Sequence, residues 1–385
     1  MRRCATCLYP LTSRPFISFD EEGVCPACKI SVERKTIDWS ERKQKLLKLI
    51  EPYRKDKGYD CVIGVSGGKD SMFQVHYAVK ELGLRPLVVT FNHLDNSEVG
   101  LRNLENLVNK LKVDHVRFTP NPDVVRRCCS HATRTMLDPF WHEHSGIYTF
   151  PVQMAVNWNV PLLLWGEYGY ADLLGMFGND DYIEMSKKLR QEHGMRGQEA
   201  EDFIKGTDLT VRDLEFTVYP TNDEIEKLGL RGIYIGNYIE WDHIKHTKLM
   251  IDLYDFKTDK KERTFNIYEN VECYFNDSVH DQFKYWKYGY GRATDHASML
   301  IRKGYITRSE GAWLVNLWDP KVCWEKLDEF LDYINMTREE MWGLVEKFKD
   351  PRAEFKPIEG AVRPKKLPYI SNPYIHDCTN RRRLI

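Results

Sequence analysis

The chain has 385 residues, 42% hydrophobic and 29% charged, a composition that suits a soluble protein of two or three domains with a sizeable core. Its 56 basic and 57 acidic side chains leave a net charge of −1, which argues against a long polyanion such as nucleic acid as the main partner, though it leaves room for a local basic patch. No apolar run approaches the roughly 18 residues of a membrane span, and Met1-Arg2-Arg3-Cys4 opens no signal-like segment, so the expected location is the cytoplasm.

In that compartment the ten cysteines read as thiols or metal ligands before they read as disulfides. Residues 1–38 hold two knuckles, Cys4-x2-Cys7 and Cys25-x2-Cys28, in a stretch too short for a core of its own. Two CxxC pairs present four thiolates to one tetrahedral ion and leave no open position, which predicts a structural zinc ribbon, with an iron–sulfur cluster as the other candidate. Residues 39–57 read as a linker helix through Leu46, Leu47 and Ile50.

From residue 58 strands and helices alternate. Cys61-Val62-Ile63-Gly64-Val65 predicts a strand buried on both faces, and Met72, Val75, Val79 and Leu82 mark one face of a helix closed by Gly83. A strand at Leu87 to Phe91, a helix at Leu101 to Lys112, and strands at Asp114 to Thr119 and Val160 to Trp165 follow. This alternation implies an α/β unit over residues 58–245, a parallel sheet with helices on both faces. Residues 246–385 read as mostly helical, with patterns at Ala293 to Lys303, Arg308 to Trp318 and Thr337 to Phe348. They end in a proline-rich tail and Arg381-Arg382-Arg383-Leu384-Ile385.

Between the first strand and its helix stands Ser66-Gly67-Gly68-Lys69-Asp70-Ser71. Glycines there let successive backbone N–H groups and the helix N-terminus converge on an anion, with Ser66 and Ser71 adding hydroxyl donors. Asp70 would repel a phosphate unless a divalent cation bridges them, which points to magnesium. Lys69 is placed to neutralise phosphate charge, and the GxxxxGK[ST] pattern of a Walker A loop is absent. Glu167 and Asp172 follow a later strand, at the edge where open parallel sheets bind ligands. Near the C-terminus Lys287, Arg292, Asp295, His296 and Arg302 gather around Trp286, Tyr288 and Tyr290, as an anion-binding cluster or a buried ionic network. His142 and His144 form an HxH without a nearby third ligand and read as part of a polar loop.

The glycine loop after the first strand resembles that of the PP-loop ATP pyrophosphatases. Three further features carry the resemblance on: the N-terminal ribbon, the block Leu164-Trp165-Gly166-Glu167-Tyr168-Gly169, and the block Lys287-Tyr288-Gly289-Tyr290-Gly291-Arg292-Ala293-Thr294-Asp295-His296-Ala297. With them nearly the whole chain resembles the N-acetyl sugar amidotransferases of bacterial surface polysaccharide, lipopolysaccharide O-antigen and nonulosonic acid biosynthesis. That resemblance implies a PP-loop fold of the adenine nucleotide α-hydrolase type, with ATP, Mg2+ and structural Zn2+ as cofactors. It implies an enzyme that adenylates the acetamido oxygen of an N-acetylated, nucleotide-linked sugar. Ammonia then displaces AMP to leave an acetamidino group.

In the same reading Ser66, Gly67, Gly68, Asp70 and Ser71 cradle pyrophosphate, Asn92 and His93 hold adenine, and Lys69, Asp70 and Glu167 are catalytic. Lys287, Arg292, Asp295 and His296 bind the sugar, while Cys4, Cys7, Cys25 and Cys28 hold the zinc. No stretch resembles a glutaminase nucleophile, so the resemblance also implies a separate glutaminase with a cyclase-like barrel subunit that conducts ammonia. A PP-loop tRNA thiolase with a zinc module is the rival reading. It calls for paired catalytic cysteines, whereas Cys128 and Cys129 are adjacent. A zinc-ribbon adaptor that binds ATP without using it is the non-enzymatic one.

Overall fold

In the computed structural model, residues 1–167, 169–365, 367 and 383–384 are described; Tyr168, Arg381, Arg382 and Ile385, singled out above, lie outside them. The strands among the described residues are β1 (Cys61–Gly64), β2 (Pro86–Phe91), β3 (Asn96–Ser97), β4 (Asp114–Phe118), β5 (Leu162–Trp165), β6 (Glu184–Met185), β7 (Arg231–Tyr234) and β8 (Arg383–Leu384). Six of them form a sheet in the order β4-β2-β1-β5-β7-β6, parallel except for β6 against β7, and β3 pairs with β8. The strand order turns around between β1 and β5, so the loops that leave these two strands open a crevice at one edge of the sheet.

Each face of the sheet is covered because its strands are apolar on both sides. Cys61, Ile63, Val88, Leu162, Leu164 and Ile233 pack into one core with Met72, Val75 and Leu107 of the crossover helices. Val62, Leu87, Val89, Phe91 and Leu163 pack into the other with Trp141, Phe150 and Phe203. Two helices that the pattern did not predict cover this second face, Pro122–Met136 and Trp141–Asn157. The latter buries His142, Glu143, Ser145 and Thr149 among its apolar residues, leaves Ile147, Tyr148, Met154 and Val156 half-buried and carries Pro151, so it has no stripe to read. The expectation of a polar loop at His142 and His144 is thereby corrected: both lie in this helix.

A boundary at residue 245 is corrected too. The helix His243–Tyr254 crosses it and sends Met250 and Tyr254, followed by Phe256, into the core beneath β1. Beyond it the chain is helical, with Asp281–Tyr288, Arg292–Arg302, Arg308–Trp318, Trp324–Tyr333 and Arg338–Phe348 in sequence. Thr307 with Glu310 and Thr337 with Glu340 form capping boxes that start two of these helices. Leu8 of the N-terminal knuckle enters the core formed by Phe265, Ala297, Leu300 and Trp318, and Tyr290 packs against the cysteines. No helix among the described residues is long and apolar enough to cross a membrane.

Gly146 fixes how closely the helix Trp141–Asn157 approaches the end of β2, since a Cβ there would run into the Phe91 ring. In an open helix Gly→Ala is favourable by about 1 kcal/mol. Here Gly146→Ala is expected to destabilise the chain by about 1–3 kcal/mol through overpacking, read as a lower urea midpoint.

Candidate functional site

The loop after β1 is shaped by contacts that only glycine permits. Gly67 has φ +91, and a side chain on it would collide with the Gly100 carbonyl of the next helix. Gly68 caps the helix Lys69–His76, and its N–H donates to Ser66 Oγ at 3.2 Å. Ser71 Oγ donates back to the Gly68 carbonyl at 2.9 Å. The result is a cradle of about 70 Å³ lined by Ser66, Gly68, Lys69, Asp70 and Ser71 on one side and by Tyr268, Glu269, Asn270 and Glu272 on the other.

Lys69 points its ammonium into a ring of partners from distant parts of the chain. Its Nζ lies 2.5 Å from Asp70 Oδ2, 2.9 Å from Glu269 Oε1 and 2.9 Å from His243 Nδ1, and the side chain is 1% exposed. Burial alone would drive this ammonium towards neutrality, but Asp70 and Glu269 outweigh it and hold the pKa above the usual lysine value. His243 Nδ1 lies 2.9 Å from Lys69 Nζ, and its Nε2 faces Glu167 Oε2 at 3.2 Å. Burial pushes the Glu167 carboxyl up to about 7, with His243 pulling the other way. It is therefore poised to exchange a proton near neutrality.

Glu272 stands over the cradle. Its Oε1 accepts from Ser66 Oγ at 3.1 Å and would lie 2.6 Å from a Cβ on Gly68. Burial raises its carboxyl above the ordinary range. Sequence reading missed His243, Glu269 and Glu272. They lie about 170 to 200 positions beyond the loop in stretches without periodic pattern, and only folding brings them to it. Oxygens of Asp70 and Glu269 and a ring nitrogen of His243 fall within 4.8 Å of one another, a spacing that can hold a divalent cation.

The other expected residues divide. Asn92 accepts from Asn96 Nδ2 at 2.5 Å and donates to Thr119 at 2.9 Å, and its backbone N–H bonds Phe118. His93 accepts from Asp95 N–H at 3.1 Å, and its carbonyl meets His142 Nε2 at 3.2 Å. Both are buried, neither lines the cradle, and their side-chain polar groups are engaged within the fold. Asp172 pairs with Arg34 rather than with the cradle.

Lys287, Arg292 and Asp295 line a cavity of about 530 Å³, where Arg14 of the N-terminal segment, Arg196 of the α/β unit and Tyr288 and Tyr290 of the C-terminal region meet. Arg292 holds Asp281 through two bonds of 2.7 and 2.9 Å, and Lys284 pairs with Asp295. Lys287 is 5% exposed, and no carboxylate lies within 4 Å of it among the described residues. Among the described residues its Nζ donates to the Met136 carbonyl at 3.2 Å and lies 5.3 Å from the centre of the Tyr288 ring. Burial, with Arg196 and Arg14 nearby, depresses its pKa well below the usual lysine value. His296 is not part of this cavity: it is 3% exposed and its Nδ1 meets Thr264 Oγ1 at 2.8 Å.

A second cavity, also about 530 Å³, lies between Arg34, Trp39, Trp241, His243 and Tyr305. In the knuckle the sulfurs of Cys4 and Cys28 are 3.9 Å apart and those of Cys7 and Cys25 3.7 Å. That matches the edge of about 3.8 Å of a tetrahedron with metal–sulfur bonds near 2.3 Å. Backbone N–H groups of Tyr9 and Cys25 and the guanidinium of Arg302 donate to these sulfurs. Cys128 packs into the core under the sheet and Cys129 into the core of C-terminal helices, so the two thiols do not converge on one centre.

A family described as LPS biosynthesis protein WbpG-like, C-terminal domain, matches residues 262–367. The protein MJ1599 of Methanocaldococcus jannaschii, of uncharacterised function, is 23% identical over 148 residues, which cover 36% of this chain. The chain spans 53% of the length of that relative. Among solved structures, NMN synthetase from Francisella tularensis is 18% identical with a TM-score of 0.28, covering 50% of this chain and 94% of its own. NH3-dependent NAD synthetase from Campylobacter jejuni is 16% identical with a TM-score of 0.29, covering 50% and 92%. The U34-tRNA thiolase NcsA from Methanococcus maripaludis, with its 4Fe-4S cluster, is 12% identical with a TM-score of 0.34, covering 79% and 87%.

The Glu167 shift has a definite sign. A carboxyl raised to about 7 stays protonated in the folded chain while the unfolded chain ionises. Its contribution to stability is therefore full below the ordinary carboxylate range and lost as pH rises through about 7. Urea midpoints at pH 5 and pH 8 are expected to fall more for the parent chain than for Glu167→Gln.

Proposed function

We propose that the chain is an ATP-dependent, AMP-forming amidotransferase. It activates the acetamido oxygen of an N-acetylated, nucleotide-linked sugar and replaces it with ammonia to give an acetamidino group. The observation that carries this reading is the glycine loop with a buried lysine at the turning point of a parallel sheet, ringed by carboxylates and by a carboxyl tuned to about 7. The match of residues 262–367 to a lipopolysaccharide biosynthesis family supports a sugar as the acceptor.

An acetamido oxygen is a poor leaving group, which is why the reaction consumes ATP. Attack of that oxygen on the α-phosphorus forms an O-adenylated imidate and expels pyrophosphate. Addition of ammonia at the imidate carbon then expels AMP. Ser66, Gly67, Gly68 and Ser71 bind the departing pyrophosphate through N–H and hydroxyl donors. Lys69 balances the charge that develops on the phosphates. Glu167 takes the surplus proton from the attacking nitrogen.

Asp70 and Glu269 are the groups that would hold Mg2+, which when bound neutralises polyphosphate charge. Cys4, Cys7, Cys25 and Cys28 would hold a structural Zn2+ and tie the N-terminus to the C-terminal helices. The acceptor occupies the cavity at Lys287, where a phosphate would supply the negative partner that lets this buried amine carry a proton. Arg292 and Asp295 shape that wall through their own ion pairs.

Ammonia comes from a separate glutaminase, through a barrel-like subunit. With ATP, Mg2+ and an N-acetylated nucleotide sugar, the isolated chain is expected to form AMP with ammonium salt at raised pH and not with glutamine. Gly68→Val is expected to abolish AMP formation with the fold intact; unchanged AMP formation would remove the basis of the assignment. Lys287→Met is expected to raise the KM for the sugar at least about tenfold, the loss of one charge-assisted contact, and to leave the KM for ATP unchanged.

A further inference from the structure

We infer that His93, Glu143 and Cys273 form a second metal site, distinct from the four-cysteine knuckle and selective for Zn2+. A ring nitrogen, a carboxylate oxygen and a thiol sulfur from these residues lie within 4.8 Å of one another, and all three residues are buried. They come from three separate parts of the chain: the turn after β2, the first turn of the helix Trp141–Asn157, and the segment that runs over the cradle.

Charge makes the case. Glu143 is 7% exposed, its Oε2 has no hydrogen-bond donor, and no lysine or arginine lies within 4 Å of its carboxylate among the described residues. The charged groups acting on it are the carboxylates of Asp95 and Glu272. A carboxyl buried beside other carboxylates is costly to ionise unless a cation joins it, and a bound divalent ion would displace its proton. A divalent ion with one carboxylate, one thiolate and one neutral imidazole makes a set of zero net charge, which an interior tolerates.

Geometry agrees. His93 Nδ1 is 3.9 Å from Glu143 Oε2, and a tetrahedral ion with bonds of about 2.0–2.1 Å would draw them to about 3.3 Å. The ring nitrogen holds only the 3.1 Å bond from Asp95 N–H, which the ion would replace. The frame around it is rigid. Leu94 is held at φ +63, an uncommon conformation for a leucine. Asp95 accepts from Phe275 N–H at 2.8 Å, and the Cys273 carbonyl accepts from Lys261 at 3.2 Å. A thiolate among the ligands disfavours Mg2+ and Ca2+, and a mixed nitrogen, oxygen and sulfur set suits Zn2+ with one position open.

The test uses the full chain saturated with Zn2+ and freed of excess. Elemental analysis is expected to give about two zinc ions per chain, and about one in Glu143→Gln and in Cys273→Ser. X-ray absorption at the zinc edge of the parent chain is expected to show a mixed shell of sulfur near 2.3 Å and lighter atoms near 2.0–2.1 Å, and each variant a shell of sulfur alone. If either variant fails to fold, the parent spectrum decides. One zinc with a pure four-sulfur shell in the parent overturns the site, and two zinc ions retained by both folded variants overturn it equally.

Discussion

The buried ammonium of Lys69 is the constraint on which the rest of the site depends. Four stretches of chain meet at it: the loop after β1, the loop after β5 through His243, the start of the helix His243–Tyr254, and the segment carrying Glu269. Removing one partner from such a set typically costs about 3–5 kcal/mol, because the remaining charges are left uncompensated. The same arrangement that secures the fold keeps a positive charge and several carboxylates together in a crevice.

The C-terminal region does more than cover the sheet. It supplies Glu269 and Glu272 to the cradle and Lys284, Lys287 and Arg292 to the large cavity, so both places are incomplete without it. The N-terminal knuckle is similarly built in. Leu8 enters a C-terminal core, Arg308 donates to the Cys7 carbonyl at 3.1 Å, and Arg14 reaches the cavity. A unit too short to bury its own residues finds its stability in what it packs against.

Much of the α/β unit was legible in the sequence, because β1, β2 and β5 are continuous apolar runs and the helix Glu98–Leu111 has a clear stripe. The glycine loop was legible for the same local reason: its residues are consecutive and its conformation needs glycine at Gly67. The helix Trp141–Asn157 was not, since polar residues on its buried side and apolar ones on its outer side erase the contrast that marks a face. Nor was β7, four residues long and opening with Arg231, which becomes a strand through pairing with β5.

What the sequence alone determined is therefore what depends on neighbours along the chain: the alternation of strand and helix, the glycine loop between the first strand and its helix, and the close spacing of four thiols. Tertiary structure decided which charges meet. It brought His243, Glu269 and Glu272 to Lys69, turned Asn92 and His93 inward, and left Lys287 without a carboxylate at the wall of a cavity. The physical reason is that electrostatic interaction depends on distance through space and on exclusion of water. Neither is set by separation along the chain.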